Sequence, residues 1–351
     1  MYTTESIVSI VTPLFNRVED VSLTIESVRQ QTYENWEWVI VDDGSTDGSL
    51  ELLNDWSIRD SRIIIEKRNR EPKGASTCRN IGVGKAKGDF LMFLDSDDLL
   101  APQCLQNRLR LIEDEDFIVT QTGIIRKEHK LVKKYWSSLL HMDDTEAFMR
   151  LEGWCISSTF FLAKFAKQYA FDETAASLQD WDYHLRILQD SPKYVKYANS
   201  DPDVYIRSGH GDRISLKNGS SKRVMNRFTT FLKIEELLSQ VGKGASIKYL
   251  DKHYLKHLKE SVLYHSYDDF RLLYEYWKKS STYYGKTGRQ IKIYLILQFW
   301  LRRLGLSFLS GLAYRTAKFI CPKRLFNPNE RELILTSPIL LEKEIQDILY
   351  K

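Results

Sequence analysis

Short apolar runs and stretches with helical spacing alternate along the first hundred residues. Residues 7–11 form a β-branched run that Pro13 is expected to close, because proline has no amide to give to a ladder. Val18, Val21, Ile25 and Val28 then recur at helical spacing through residue 31, with Glu19 and Asp20 placed to favour the positive end of the helix dipole. A strand over 36–41 leads into Asp42-Asp43-Gly44-Ser45-Thr46-Asp47, where Asp47 is positioned to cap a helix over 48–56. A third strand over 62–67 and a small-residue helix over 73–86 follow. At 90–94, Phe-Leu-Met-Phe-Leu reads as a strand buried on both faces of a parallel sheet.

That strand breaks directly into Asp95-Ser96-Asp97-Asp98. Alternating strands and helices imply parallel pairing with right-handed crossovers, so the acids at 42–43 and 95–98 face one crevice at the strand carboxyl ends. Like charges gathered there call for a cation. Oxygen ligands without neighbouring His or Cys favour magnesium or manganese over zinc, and such ions usually carry substrate phosphates. The competing reading is an acidic helix N-cap.

Further along, the pattern predicts a helix opened by Pro102, a strand over 117–125, a strand over 154–162, a short helix over 164–169 and a helix over 178–188. Two short strands follow at 194–197 and 204–207. Residues 127–144 are polar, basic and without a clear period. From residue 222 the pattern is helical, so the chain divides into an α/β unit over 1–221 and a helical appendage over 222–351. The length, 351 residues, agrees with a domain plus an appendage, since single cores stop growing near ~250–300 residues.

The net charge of +4 is small but unevenly spread. Residues 281–325 hold no Asp or Glu and carry Lys286, Arg289, Lys292, Arg302, Arg303, Arg315, Lys318, Lys323 and Arg324. Within them, 293–301 and 304–314 are apolar but shorter than the ~20 residues that span a bilayer. They suit helices lying in an anionic interface, with packing on the catalytic unit or on a second subunit as the alternative. Nucleic acid is disfavoured as a partner, because this stretch is apolar between its charges and has no reading motif. Cys78, Cys104, Cys155 and Cys321 are widely spaced and fit a reduced cytosol. No basic leader with an apolar core precedes the first strand, so the expected location is cytoplasmic, peripheral on the inner face of the cell membrane.

Taken in order, residues 12–17 (Thr-Pro-Leu-Phe-Asn-Arg), 41–47, 78–82 (Cys-Arg-Asn-Ile-Gly), 93–98 and 179–182 (Gln-Asp-Trp-Asp) resemble the large family of inverting GT-A glycosyltransferases that use nucleotide-activated sugars. The resemblance covers about residues 5 to 215. It implies a Rossmann-like GT-A fold with a mostly parallel central sheet. It further implies transfer of a sugar from a UDP- or GDP-linked donor to a sugar or lipid-linked sugar acceptor in bacterial polysaccharide or oligosaccharide synthesis. Pro13 and Phe15 match the base pocket, and Asp43 matches the carboxylate that reads the base imide. Arg79 matches an arginine near the diphosphate. Asp95-Ser96-Asp97 matches the DxD motif, with Asp95 toward the ribose and Asp97 on a Mn2+ or Mg2+ ion, while Asp98 is read as the cap of the next helix.

Asp180 matches the general base, with Gln179 standing where the family has glutamate, and Asp182 has a first-turn acid as its simpler reading. Trp181 is placed to stack on the acceptor or to join the core. Arg207 and Arg213 are candidates to clamp the diphosphate and His210 a candidate metal ligand; for each, a solvated loop position is the alternative. Two rival classes remain. A nucleotidyltransferase would carry a glycine-rich loop after the first strand, which 12–17 lacks. A silent binding module would have lost the DxD motif or the base, and both are present.

Overall fold

The computed structural model describes residues 5–126, 131–208 and 221–242, together with 250, 253 and 271–275. The basic stretch 281–325, His210 and Arg213 lie outside the described residues.

A seven-stranded sheet forms the centre, in the order β10-β6-β9-β4-β1-β2-β3. Its strands are β1 (Val8–Leu14), β2 (Trp36–Asp42), β3 (Ile63–Lys67), β4 (Phe90–Phe93), β6 (Phe117–Val119), β9 (Thr159–Leu162) and β10 (Tyr194–Lys196). All run parallel except β9, which lies antiparallel between β4 and β6. This is the expected α/β fold with a mostly parallel sheet. Helices α1 (Val18–Arg29), α2 (Ser49–Arg59) and α4 (Cys104–Leu111) cover one face, and α3 (Ala75–Lys85), α6 (Ala163–Ala166) and α7 (Gln179–Gln189) the other. The run at 90–94 serves both layers: Phe90, Met92 and Leu94 join the α1 side, Leu91 and Phe93 the α7 side. A smaller sheet, in the order β5-β11-β7-β8, is built from β5 (Leu99–Leu100), β7 (Thr122–Arg126), β8 (Leu131–Tyr135) and β11 (Val204–Ser208).

Four expectations change. Strand β1 runs through Pro13 to Leu14, with Pro13 opposite Val41. The carbonyl of Val11 accepts from Leu94 on the β4 side, so the missing amide two residues later faces that same side, beyond the last pair between β1 and β4. No ladder bond is lost there. The single strand expected over 117–125 is two, in different sheets. The chain crosses between them at Thr120 and Gln121, whose side chains bond Asp203 and the Ala198 carbonyl. This crossing is pinned by a buried pair, Arg108 Nε to Asp203 Oδ2 at 2.8 Å and Nη2 to Oδ1 at 2.7 Å.

The strand expected over 154–162 begins as a 3-10 turn at Ile156–Ser158, where Thr159 Oγ1 turns back to the Ile156 carbonyl at 2.7 Å. Hydroxyl side chains compete with the ladder for backbone groups. Finally, the segment 127–144 holds β8 and leads into an unforeseen helix, α5 (Asp144–Met149), capped by Asp143 through the Glu146 amide at 3.0 Å.

Gly88 sets the approach to β4. A Cβ there would stand 2.6 Å from the Ile7 carbonyl oxygen and 2.8 Å from the Ser9 amide, so only glycine lets the chain enter the sheet at this level. Beyond residue 221, α8 (Ser221–Gln240) is helical as expected. It packs on α7 and shares its core: Phe231 meets Trp181 edge-on at 5.4 Å, and Thr230 Oγ1 donates to the Ser177 carbonyl at 3.2 Å.

Candidate active site

The loops after β1 and β2 are knitted together by short polar side chains. Asp42 accepts from the amides of Gly44 at 3.0 Å and Ser45 at 3.1 Å, which is turn chemistry and leaves Asp43 as the acid facing the crevice. Asn16, in the left-handed region at φ 49°, donates its amide to Ser45 Oγ and accepts from the Thr46 amide at 2.9 Å. Asp47 accepts from Val18 and Ser49, joining the starts of α1 and α2. Gly48, at φ 93°, and not Asp47, is the residue before α2.

Asp43 accepts from Arg68 Nε at 2.6 Å and from the Gly74 amide at 3.3 Å. Phe15 is 41% exposed, with Lys73 Nζ 3.6 Å above its ring, and Pro13 is half-buried. The aromatic face, the carboxylate and two cations therefore share one end of the crevice. Arg68 and Lys73 were not singled out from the sequence; their only signal was basic residues at the end of β3 and in the loop after it.

At the end of β4, Asp95, Asp97 and Asp98 offer carboxylate oxygens within 4.8 Å of one another. All-oxygen donors this close suit a hard divalent cation. Asp98 is no helix cap: it accepts from the Arg207 amide at 3.3 Å, and α4 starts only at Cys104. Ser96 is buried, and its carbonyl accepts from Thr24 Oγ1 of α1 at 3.1 Å. Arg17 Nε stands 3.8 Å from Asp97.

Arg207 is 2% exposed. Its guanidinium donates to the carbonyls of Asp97 and, at 2.7 Å, Asp20. This placement differs from the diphosphate clamp expected of it. The side chain ties the DxD loop to the start of α1.

Asp180 is the second residue of α7, after Gln179 and the N-cap Leu178, whose φ of 57° is an uncommon conformation for a bulky residue. Asp180 Oδ1 accepts from the Trp181 amide at 3.0 Å. Burial pushes its carboxyl above the usual range, opposed by the nearby Arg79 charge and reinforced by Asp95. Arg79 explains how these groups meet. It is buried, donates to Asp95 Oδ1 at 2.7 Å and to Gln179 Oε1 at 3.1 Å, and so spans from the end of β4 to the start of α7.

Trp181 is 4% exposed, gives its indole N–H to the Phe148 carbonyl and packs on Phe231. It is a core residue and cannot stack on an acceptor sugar. Asp182 is buried and paired with Arg186 at 3.0 Å. Cys78, Cys104 and Cys155 are buried free thiols.

Acids at the carboxyl ends of β2 and β4 face one crevice, with the Asp180 carboxylate in the first turn of α7 across it. Residues 9–173 match the family model described as Glycosyl transferase family 2. It is 40% identical over 132 residues to the Escherichia coli UDP-Glc:alpha-D-GlcNAc-diphosphoundecaprenol beta-1,3-glucosyltransferase WfaP, covering 38% of this chain and 51% of that one. A putative teichuronic acid biosynthesis glycosyltransferase, TuaG of Bacillus subtilis, is 34% identical over 117 residues, 33% of this chain and 46% of its own. The chain thus spans about half the length of these relatives, and as little as 18% of a glycosyltransferase of Rickettsia bellii. Among solved structures, S. aureus TarS in complex with UDP-GlcNAc superposes over 88% of this chain and 91% of that one, with a TM-score of 0.60 at 15% identity. The chain has the GT-A fold.

Proposed function

We propose that the protein is an inverting, divalent-cation-dependent glycosyltransferase that moves one sugar from a nucleotide-diphosphate sugar to the hydroxyl of a lipid-linked acceptor during synthesis of a bacterial surface polysaccharide. The observation that carries the reading is the convergence of Asp95, Arg79 and Asp180, with a base whose carboxyl burial keeps above the ordinary range. The relatives' named roles, WfaP on a diphosphoundecaprenol-linked sugar and TuaG in teichuronic acid synthesis, support the acceptor class and the pathway.

The donor lies along the crevice. Its base stacks on Phe15 against Pro13, and its imide N–H is read by Asp43. Arg68 and the Gly74 amide flank that carboxylate with donors, which complements the two carbonyls of uracil better than the amino group of guanine. A UDP-sugar is therefore the favoured donor. Asp95, Asp97 and Asp98 would hold Mn2+ or Mg2+, a role in line with the Mn2+ present with GalNAc-T7, a structure of the same fold (TM-score 0.51, 16% identity, 77% of this chain and 56% of that one). Such an ion neutralises charge on the departing diphosphate. Asp180 accepts the proton of the acceptor hydroxyl as it attacks the anomeric carbon in a single displacement. Lys73 lies over the Phe15 ring and has to move aside for the base.

The stretch 281–325 would bring the protein to an anionic membrane face where a lipid-linked acceptor resides. The test is a screen of purified protein against a panel of nucleotide sugars with manganese, reading hydrolysis. Turnover of one UDP-sugar, lost in chelator, is the expected result. No turnover of any nucleotide sugar, or full turnover in chelator, refutes the reading.

A further inference from the structure

Between β8 and the turn after α5, the chain exposes four large apolar side chains: Trp136 at 41%, Leu140 at 55%, Met142 at 101% and Leu151 at 40%. Single exposed apolar residues are ordinary, but a run of them in one segment marks a contact surface. The same segment turns Leu139, Phe148 and Met149 into the core, so its outward residues are held on a fixed support.

Hydrogen bonds place this segment beside the crevice. The Trp136 amide donates to the Thr122 carbonyl at 2.9 Å, and Thr122 Oγ1 lies 2.7 Å from Ser158 Oγ. Ser158 immediately precedes β9, whose pairing of Phe160 with Met92 sets Ser158 level with the end of β4, next to Asp95. At the other end, Lys196 Nζ, at the last residue of β10, donates to the His141 carbonyl at 2.6 Å, and His141 faces Glu152 at 3.8 Å, which brings Leu151 alongside. The Phe148 carbonyl of α5 accepts from Trp181, one residue past Asp180. The segment is thus a wall running from the end of the DxD strand to the helix of the base, and its apolar residues lead outward from there.

We propose that this wall is the track for the hydrocarbon chain of the lipid-linked acceptor, with Trp136 at the crevice end and Met142 outermost. The inference rests on the transferase reading above and adds where the acceptor lies. A protein partner fits poorly. Four exposed side chains interrupted by Ser138 and His141 offer far less than the ~800 Å² per partner of a stable protein interface. A single hydrocarbon chain needs only a narrow strip and no polar complement.

The test titrates dimethylallyl, geranyl and farnesyl phosphate, each below its micelle concentration and in the presence of UDP, into the parent and into a Leu140→Ser, Met142→Ser, Leu151→Ser variant. These side chains are exposed, so the variant is expected to melt with the parent and to bind UDP equally. If about a quarter of each isoprene unit is covered, affinity in the parent rises about fivefold per unit, and in the variant it stays flat. Affinity independent of chain length in the parent overturns the proposal, as it would if a second copy or another part of this chain covered the strip. A dependence on chain length that survives in the variant overturns it as well. Failure to bind UDP or turn over any nucleotide sugar would instead count against the transferase reading, and the chain-length series would still report on the track.

Discussion

Replacing Arg207 by methionine separates two roles for the same side chain. If Arg207 clamps the donor diphosphate, its removal weakens donor binding and leaves the free protein as stable as before. The structure gives it different work: it donates to the carbonyls of Asp97 and Asp20 from a buried position, with Asp20 Oδ1 also 3.8 Å from Nη1. A hydrogen bond from a charged donor contributes ~1.5–3 kcal/mol, so two such bonds set a ceiling of about 3–6 kcal/mol. Asp20 is only half-buried, and water can replace the guanidinium there. The expected loss is therefore about 2–4 kcal/mol in urea unfolding without any ligand, with methionine keeping the apolar volume of the stem. Arg207→Lys can reach one carbonyl and should recover part of it. Because the Arg207 amide still bonds Asp98, the loop loosens without being released, and manganese-dependent UDP binding should fall as well. Parent-like stability of the ligand-free Arg207→Met variant, with only donor affinity reduced, would refute the loop-holding role.

Asp180→Asn should melt like the parent and bind UDP normally while turnover falls by ~100-fold or more; transfer near the parent rate would exclude it as the base. Since burial raises the Asp180 carboxyl and the base works ionised, the acid limb of the rate profile should lie above that of an ordinary aspartate, and a limb at the usual carboxylate range would contradict the geometry. Asp97→Asn should remain folded, because β4 is held by its apolar residues, yet lose the stabilisation that manganese with UDP confers; thermal melts with and without chelator check this. His184 is buried with Nδ1 2.7 Å from the Asp180 carbonyl, and burial pushes it down to about 3. The unfolded chain takes up that proton first as pH falls below ~6.5, so stability should drop by up to ~1.4 kcal/mol per pH unit, a component absent from His184→Asn in urea melts across that range.

The parallel half of the fold was legible because each strand is a short apolar run and each helix shows one apolar face. Phe90 to Leu94 could be placed between two layers from composition alone, and both layers are there. The second half was less legible for a physical reason. Thr120, Gln121, Ser157 and Ser158 are polar residues buried where strands change sheet or begin, so their partners, Asp203 among them, decide the path and lie far away in sequence. Helix α5 did carry a local signal, Asp143 three residues before Glu146, in a segment whose apolar spacing hid it. At the site, the motifs located the acids and the start of α7. They could not tell that Trp181 faces inward, because helical spacing with Leu185 serves a core and a stacking platform alike until the neighbouring α8 is placed.

Gln179 shows how the site uses a departure from the family pattern. Arg79 is buried, and a buried cation needs a carboxylate partner to be tolerated. Asp95 supplies the charge and the Gln179 carbonyl oxygen the second acceptor, so the guanidinium keeps a fixed orientation toward both ends of the crevice. A glutamate at 179 would offer the same acceptor but add another negative charge directly beside Asp180, on top of Asp95. Like charges raise a carboxyl further, so Asp180 would be harder to ionise. The amide retains the geometry of Arg79 without that charge, and leaves the Arg79 cation to act on Asp180, the one influence from a side chain that favours its ionised form.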